Sequence, residues 1–164
     1  LADRPIHPVT LWRGRLSVAL DALESRGTRN GFRRSSPVET TNVQLPTGDR
    51  LLIPTGAETL RFKGYLIMSR NSSRDYADFA DMVDAMDPET VAVVLAGMDR
   101  YYCCQPLGSS SRSQWMATEL VRRLADPDPS DLNDDWPETD ARADWEEVRQ
   151  RCLSVAVAML EEAR

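Results

Sequence analysis

Residues 55–84, Thr55-Gly-Ala-Glu-Thr-Leu-Arg-Phe-Lys-Gly-Tyr-Leu-Ile-Met-Ser-Arg-Asn-Ser-Ser-Arg-Asp-Tyr-Ala-Asp-Phe-Ala-Asp-Met-Val-Asp84, decide the fold. Thr55 with Glu58 has the spacing of a capping box, so a helix is predicted after Pro54 and up to about Arg70. Asn71-Ser72-Ser73 breaks it and caps a second helix over 74–85. Leu60, Lys63, Gly64 and Ile67 share one helical stripe. Lys63 is the only lysine in the chain; every other basic residue is an arginine.

Upstream, Val-Glu-Thr-Thr-Asn-Val-Gln-Leu (38–45), Pro-Thr-Gly-Asp (46–49) and Arg-Leu-Leu-Ile-Pro (50–54) predict a β-hairpin. Before it, residues 9–26 fit a helix ending at Gly27, and 28–37 read as a basic loop. Downstream, Asp87-Pro88-Glu89 starts a helix expected to reach about Tyr102. A loop over 105–111 precedes a helix over 113–125, with Trp115, Leu120 and Leu124 for packing. Residues 126–140 read as an acidic, proline-rich linker. A final helix over 141–164 aligns Trp145, Val148, Cys152, Val155 and Met159 on one face. The fold class expected is α+β, predominantly helical: a short β-hairpin followed by a helical bundle. Residues 1–54 form its N-terminal helix-and-hairpin part and 55–164 its helical domain.

The 164 residues carry a net charge of −6, which argues against nonspecific duplex binding. The charge is uneven, however. Arg4, Arg13, Arg15, Arg26, Arg29, Arg33 and Arg34 make the first 34 residues basic, a face suited to RNA phosphates. No run approaches the roughly 20 apolar residues of a membrane helix. No signal peptide is expected, and a cytoplasmic location follows. Cys103, Cys104 and Cys152 lack zinc spacing and read as small buried hydrophobes. The start at Leu1 is read as that of a fragment or a trimmed chain.

Lys63 has two readings. Its stem could pack while its ammonium reaches water. Alternatively it lies inside the stripe and needs a carboxylate or a phosphate as partner. Asp75 and Asp78, at i and i+3, share a face. They read either as structural partners of Arg70, Arg74 or Lys63, or as groups that orient Lys63, a metal ion or an attacking hydroxyl.

The strand ending in Pro54, Leu60-Arg61-Phe62-Lys63-Gly64 and Arg74-Asp75-Tyr76-Ala77-Asp78-Phe79 together resemble the C-terminal motifs of the AbiEii-type nucleotidyltransferase toxins of abortive-infection and type IV toxin–antitoxin systems. The resemblance covers about residues 38–125. It implies a catalytic set of Lys63, Asp75 and Asp78, with Arg61, Lys63 and Arg74 around an NTP. It also implies Mg²⁺ in the full enzyme, a tRNA-type acceptor and a cognate antitoxin. From its own composition the segment Arg26–Arg34 reads either as a solvated loop or, through Arg29, Arg33 and Arg34, as the surface that faces an RNA, and no membrane partner is expected. The family's Gly-Ser and Asp-x-Asp motifs are absent from residues 1–54, and Asp126-Pro127-Asp128 reads as a solvated helix stop. The metal ligands are therefore unknown, and the chain alone is expected to be inactive. The other reading is a noncatalytic helical interaction module.

Overall fold

The computed structural model describes residues 32–104, 115–130 and 141–164. The helix expected over 9–26, the loop over 105–111 and the stretch 131–140 lie outside these residues. Strand β1 is Phe32–Arg34, β2 Thr40–Gln44 and β3 Arg50–Pro54. Helix α1 is Gly56–Arg70, α2 Ser73–Asp84 and α3 Pro88–Ala96. A 3₁₀ turn over Met98–Arg100 leads into β4, Tyr102–Cys104. Helices α4, Met116–Ala125, and α5, Ala141–Glu162, complete the described chain. The fold is α+β and mostly helical, with the hairpin ahead of the helices, as the sequence predicts.

α1 forms the centre. The Thr55 side chain accepts from the Glu58 N–H at 3.1 Å and so caps the first turn. The reciprocal half of the capping box is not made. The Thr55 N–H goes instead to the Glu39 carbonyl at 3.0 Å, tying the helix to the hairpin. Every residue from Glu58 to Met68 is buried. A helix enclosed on all sides must satisfy whatever charge it carries, and this one carries Glu58, Arg61 and Lys63.

Helices α2, α3 and α4 pack around α1, and α5 packs across α2, α3 and α4. The shared core contains Leu60, Ile67, Tyr76, Phe79, Leu95, Met98, Leu120, Leu124 and Cys152. The predicted stripe of α5 is the buried one: Trp145, Val148, Cys152, Val155 and Met159 all belong to the core. Trp145 meets Tyr76 edge-to-face at 5.9 Å between centroids. Gly64 sits where a Cβ would come within 3.0 Å of the Leu120 side chain and 3.3 Å of Met98 Sδ, so its lack of a side chain sets how closely α4 approaches α1.

Three boundaries differ from expectation. The third helix ends at Ala96 rather than near Tyr102. The chain turns at Gly97 and forms β4, which pairs antiparallel with β1, Arg34 opposite Tyr102. Residues 32–34, expected within a loop, are therefore a strand. Helix α4 begins at Met116 rather than Ser113, and the Ala117 N–H is satisfied by Asp99 at 3.1 Å from the 3₁₀ turn. At the start of the acidic segment the helix stops at Ala125, and Asp126 and Asp128 are exposed, as expected, but the prolines between and after them are packed. Pro127 and Pro129 are buried, and the Ser130 N–H donates to the Asn71 carbonyl at 3.1 Å.

Candidate functional site

Lys63 and Arg61 leave α1 on opposite sides, because two residues along a helix rotate the side chain by about 200°. Each meets its own set of charges. Lys63 reaches across to α2, where its Nζ lies 2.7 Å from Asp78 Oδ2. The Lys63 side chain is 11% exposed and that of Asp78 is 25% exposed, so the pair lies at the edge of the core. Asp75, one turn earlier on α2, is buried and faces Arg70 Nη1 at 4.0 Å. Its place in the first turn also favours its charge. Arg74 is exposed.

Arg61 occupies a second, more enclosed set. Its Nη1 lies 2.8 Å from Glu58 on its own helix and 2.8 Å from Glu39. The Tyr101 hydroxyl donates to Glu39 at 2.9 Å, and the Tyr101 ring lies under the Arg61 guanidinium at 3.6 Å. Arg34, from β1, also pairs with Glu58. It donates to the carbonyls of Ser36 at 2.6 Å and Pro37 at 2.8 Å. Its guanidinium lies near the rings of Phe62 and Tyr102, at 5.5 and 5.6 Å. Tyr65 stacks on Tyr102 at 5.3 Å. Glu58 is fully buried, yet it meets a guanidinium from each side.

The electrostatics follow from these contacts. Hydrogen bonds from Arg61 and then Tyr101 hold the Glu39 carboxyl below its ordinary value. Burial works against the Arg61 charge, but its bonds to Glu39 and Glu58 outweigh burial and raise its pKa. Burial pushes the Tyr102 hydroxyl up, and the Tyr76 hydroxyl up to about 12. Two arginines and two glutamates balance in charge and link β1, the hairpin, α1 and the turn before β4. The arrangement fastens elements together.

The structure thus brings Lys63 and Asp78 into contact and sets Asp75 beside Arg70. It holds Arg61 away from Lys63, inside its own ion pairs. Arg34 is engaged with Glu58. Arg33 lies on β1, its side chain outside the described residues, as is all of Arg29. Sequence reasoning missed Glu39, Tyr101 and Tyr102. Glu58 was legible only as a capping residue. The signal available was its place one turn before Arg61 on a helix whose buried stretch is mostly apolar, where a carboxylate needs a cation.

No family model matches the chain, and no solved structure matches it. Curated relatives do. The heme uptake protein MmpL11 of Mycobacterium tuberculosis is 71% identical over 172 aligned residues, 99% of this chain and 17% of the relative. The probable transport protein MmpL11 of Mycobacterium bovis matches at the same identity and coverage. The mycolic acid-containing lipids exporter MmpL11 of Mycolicibacterium smegmatis is 64% identical over 162 residues, 97% of this chain and 17% of the relative. These matches overturn the resemblance to AbiEii-type nucleotidyltransferase toxins. It rested on a strand ending in Pro54, a lysine-bearing helix and an Arg-Asp-x-x-Asp helix start at a set spacing, a pattern that a hairpin and helices packed by ion pairs also produce. Transfer of a nucleotide from an NTP to RNA falls with it, as do the NTP, tRNA and antitoxin partners. Mg²⁺ is not supported either: among the described residues no group of His, Cys, Asp and Glu could hold a metal ion. The cytoplasmic location and the exclusion of a membrane are corrected too, since the relatives are named as transport proteins. No described helix is long and apolar enough to cross a membrane. The chain is similar over nearly its whole length to one segment of the MmpL11 transport proteins, and it spans 17% of the length of these relatives.

Proposed function

We propose that this chain is a water-facing helical module of a transport protein of the MmpL11 kind, and that transport by the whole protein depends on its being folded. The observation that carries the reading is 71% identity over 99% of the chain to a protein named for transport. The geometry supports a module built for shape. Lys63 pairs with Asp78, and Arg61 with Glu58 and Glu39, within or across elements of one core. The cargo named for two relatives, heme in one and mycolic acid-containing lipids in the other, supplies the classes to test.

The test is complementation of a strain lacking the full-length protein. One arm carries the protein without this segment, and another carries Leu95→Asp, which puts a carboxylate in the core. Heme uptake and surface lipid are measured beside protein level by immunoblot. Loss of transport at normal protein level in the deletion arm supports the reading. Full transport of both cargoes without the segment overturns it.

A further inference from the structure

The hairpin β2–β3 is the one described element pair that packs mainly on itself. A lone two-stranded hairpin is marginal in water; three or more strands, or cover from a helix, are needed for independent stability. Here β3 half-buries Leu51, Ile53 and Pro54, whereas all five residues of β2 are exposed.

The register shows which backbone groups point outward. Thr40 faces Pro54, Asn42 faces Leu52 and Gln44 faces Arg50. The Thr55 N–H donates to the Glu39 carbonyl, and the Leu45 N–H to the Asp49 carbonyl. The odd-numbered residues of β2 thus bond to β3, and ladder alternation turns the N–H and C=O groups of Thr40, Asn42 and Gln44 outward. Among the described residues, no backbone hydrogen bond reaches these three from another element.

The two edges are unlike. On β3 the outward positions are Arg50, Leu52 and Pro54. Pro54 has no N–H and Arg50 carries a charge, two common devices for blunting an edge. On β2 the outward positions are Thr40, Asn42 and Gln44, all uncharged and all able to donate. Among the described residues, the β2 edge of the hairpin is the one that is both exposed along its length and free of proline and charge.

We propose that β2 is a homotypic docking edge, at which two copies of this chain pair their β2 strands antiparallel into a four-stranded sheet. The sequence Thr-Thr-Asn-Val-Gln is uncharged, so pairing with itself meets no like-charge repulsion. Antiparallel pairing of one strand with its own copy has two-fold symmetry, which closes the assembly at a dimer. With Asn42 opposite Asn42 of the second copy, Thr40 faces Gln44. Thr41 and Val43 lie on the same face as Ile53 and Leu51. Across the dimer, Ile53, Thr41, Val43 and Leu51 then form one row, and Val43, now 39% exposed, gains a neighbour. The interface is small, in the range of weak, transient contacts.

The test uses the 164-residue chain in a concentration series by sedimentation equilibrium, with amide hydrogen exchange on the same samples. The expected result is a mass that rises with concentration toward twice the monomer. The amides of Thr40, Asn42 and Gln44 should become protected in step, while those of Thr41 and Val43 are protected throughout. Asn42→Pro removes an outward N–H that the hairpin itself does not use. It should leave circular dichroism unchanged and keep the chain monomeric. Leu52→Pro, the matching change on the blunted edge, should leave the dimer intact. A monomer at all concentrations with unprotected Asn42, or a dimer indifferent to Asn42→Pro, would overturn the proposal. The exchange data on the unaltered chain decide the matter if the proline variant misfolds.

Discussion

At the scale of single residues, α1 shows how charge is carried through a core. Lys63 and Asp78 make one pair at 2.7 Å. Removing Asp78 takes a carboxylate away from a nearly enclosed ammonium, whereas removing the charge of Lys63 leaves a carboxylate that is still a quarter exposed. Asp78→Ala should therefore cost about 1–3 kcal/mol and Lys63→Met less. The double variant should recover part of the loss, measured by urea unfolding of all three. Gly64 is constrained by volume. Gly64→Val places branched carbons where Leu120 and Met98 already stand and should cost about 1–3 kcal/mol in the same assay. An unchanged midpoint would mean that α4 can move away from α1 freely.

At the scale of elements, the helix ends hold the packing order. Thr55→Ala removes the acceptor for the Glu58 N–H and should destabilise the chain by about 1 kcal/mol, with faster amide exchange at the start of α1. Asn71 ends α1 in the left-handed conformation, φ 52°. Its side chain donates to the Asp128 carbonyl at 2.7 Å and accepts from the Tyr76 hydroxyl at 3.0 Å. Asn71→Gly keeps the backbone geometry at no steric cost. Its expected effect is a loss of about 1 kcal/mol, shared between the side-chain bonds and the extra freedom of the unfolded chain, with faster exchange at Ser130 reporting the bonds themselves. Exchange unchanged at Ser130 would show that the buried prolines, Pro127 and Pro129, hold that segment by themselves.

At the scale of the whole molecule, stability should fall at both ends of the pH range. Glu39 has its carboxyl below 4.5 in the folded state, held there first by Arg61 and then by Tyr101. The unfolded chain takes up that proton at higher pH, so stability present above about 4.5 is lost as pH falls through the folded value. The alkaline limb has the opposite sense. Burial pushes the Cys152 thiol from 9.0 up to about 12 and the Tyr76 hydroxyl from 10.0 up to about 12. Unfolding releases these protons, so stability is intact below pH 9 and is lost as pH rises from about 9 toward 12. Thermal midpoints across pH should show both falls. Cys152→Ala, compared with its own value at pH 8, should fall less between pH 9 and 10 than the parent chain does. The same burial predicts that Cys152 resists alkylation at pH 8 until the chain unfolds.

What the sequence determined by itself was local. Thr55, Asn71 and Asp87 mark helix ends because capping is satisfied within a few residues, and Pro46-Thr-Gly-Asp49 marks a turn for the same reason. The α5 stripe was legible because burial repeats along a helix every 3.6 residues. The short strands β1 and β4 were not: three residues of each have no period of their own, and they exist because chain segments about 70 residues apart meet. The partners of the buried charges were hidden for the same reason. Spacing placed Lys63 and Asp78 on neighbouring helices but could not tell a packing ion pair from a phosphate site. Only the tertiary structure decided that Arg61 turns toward Glu39 and Tyr101. A charge is satisfied by whatever lies within a few ångströms in space, and distance along the chain does not encode that.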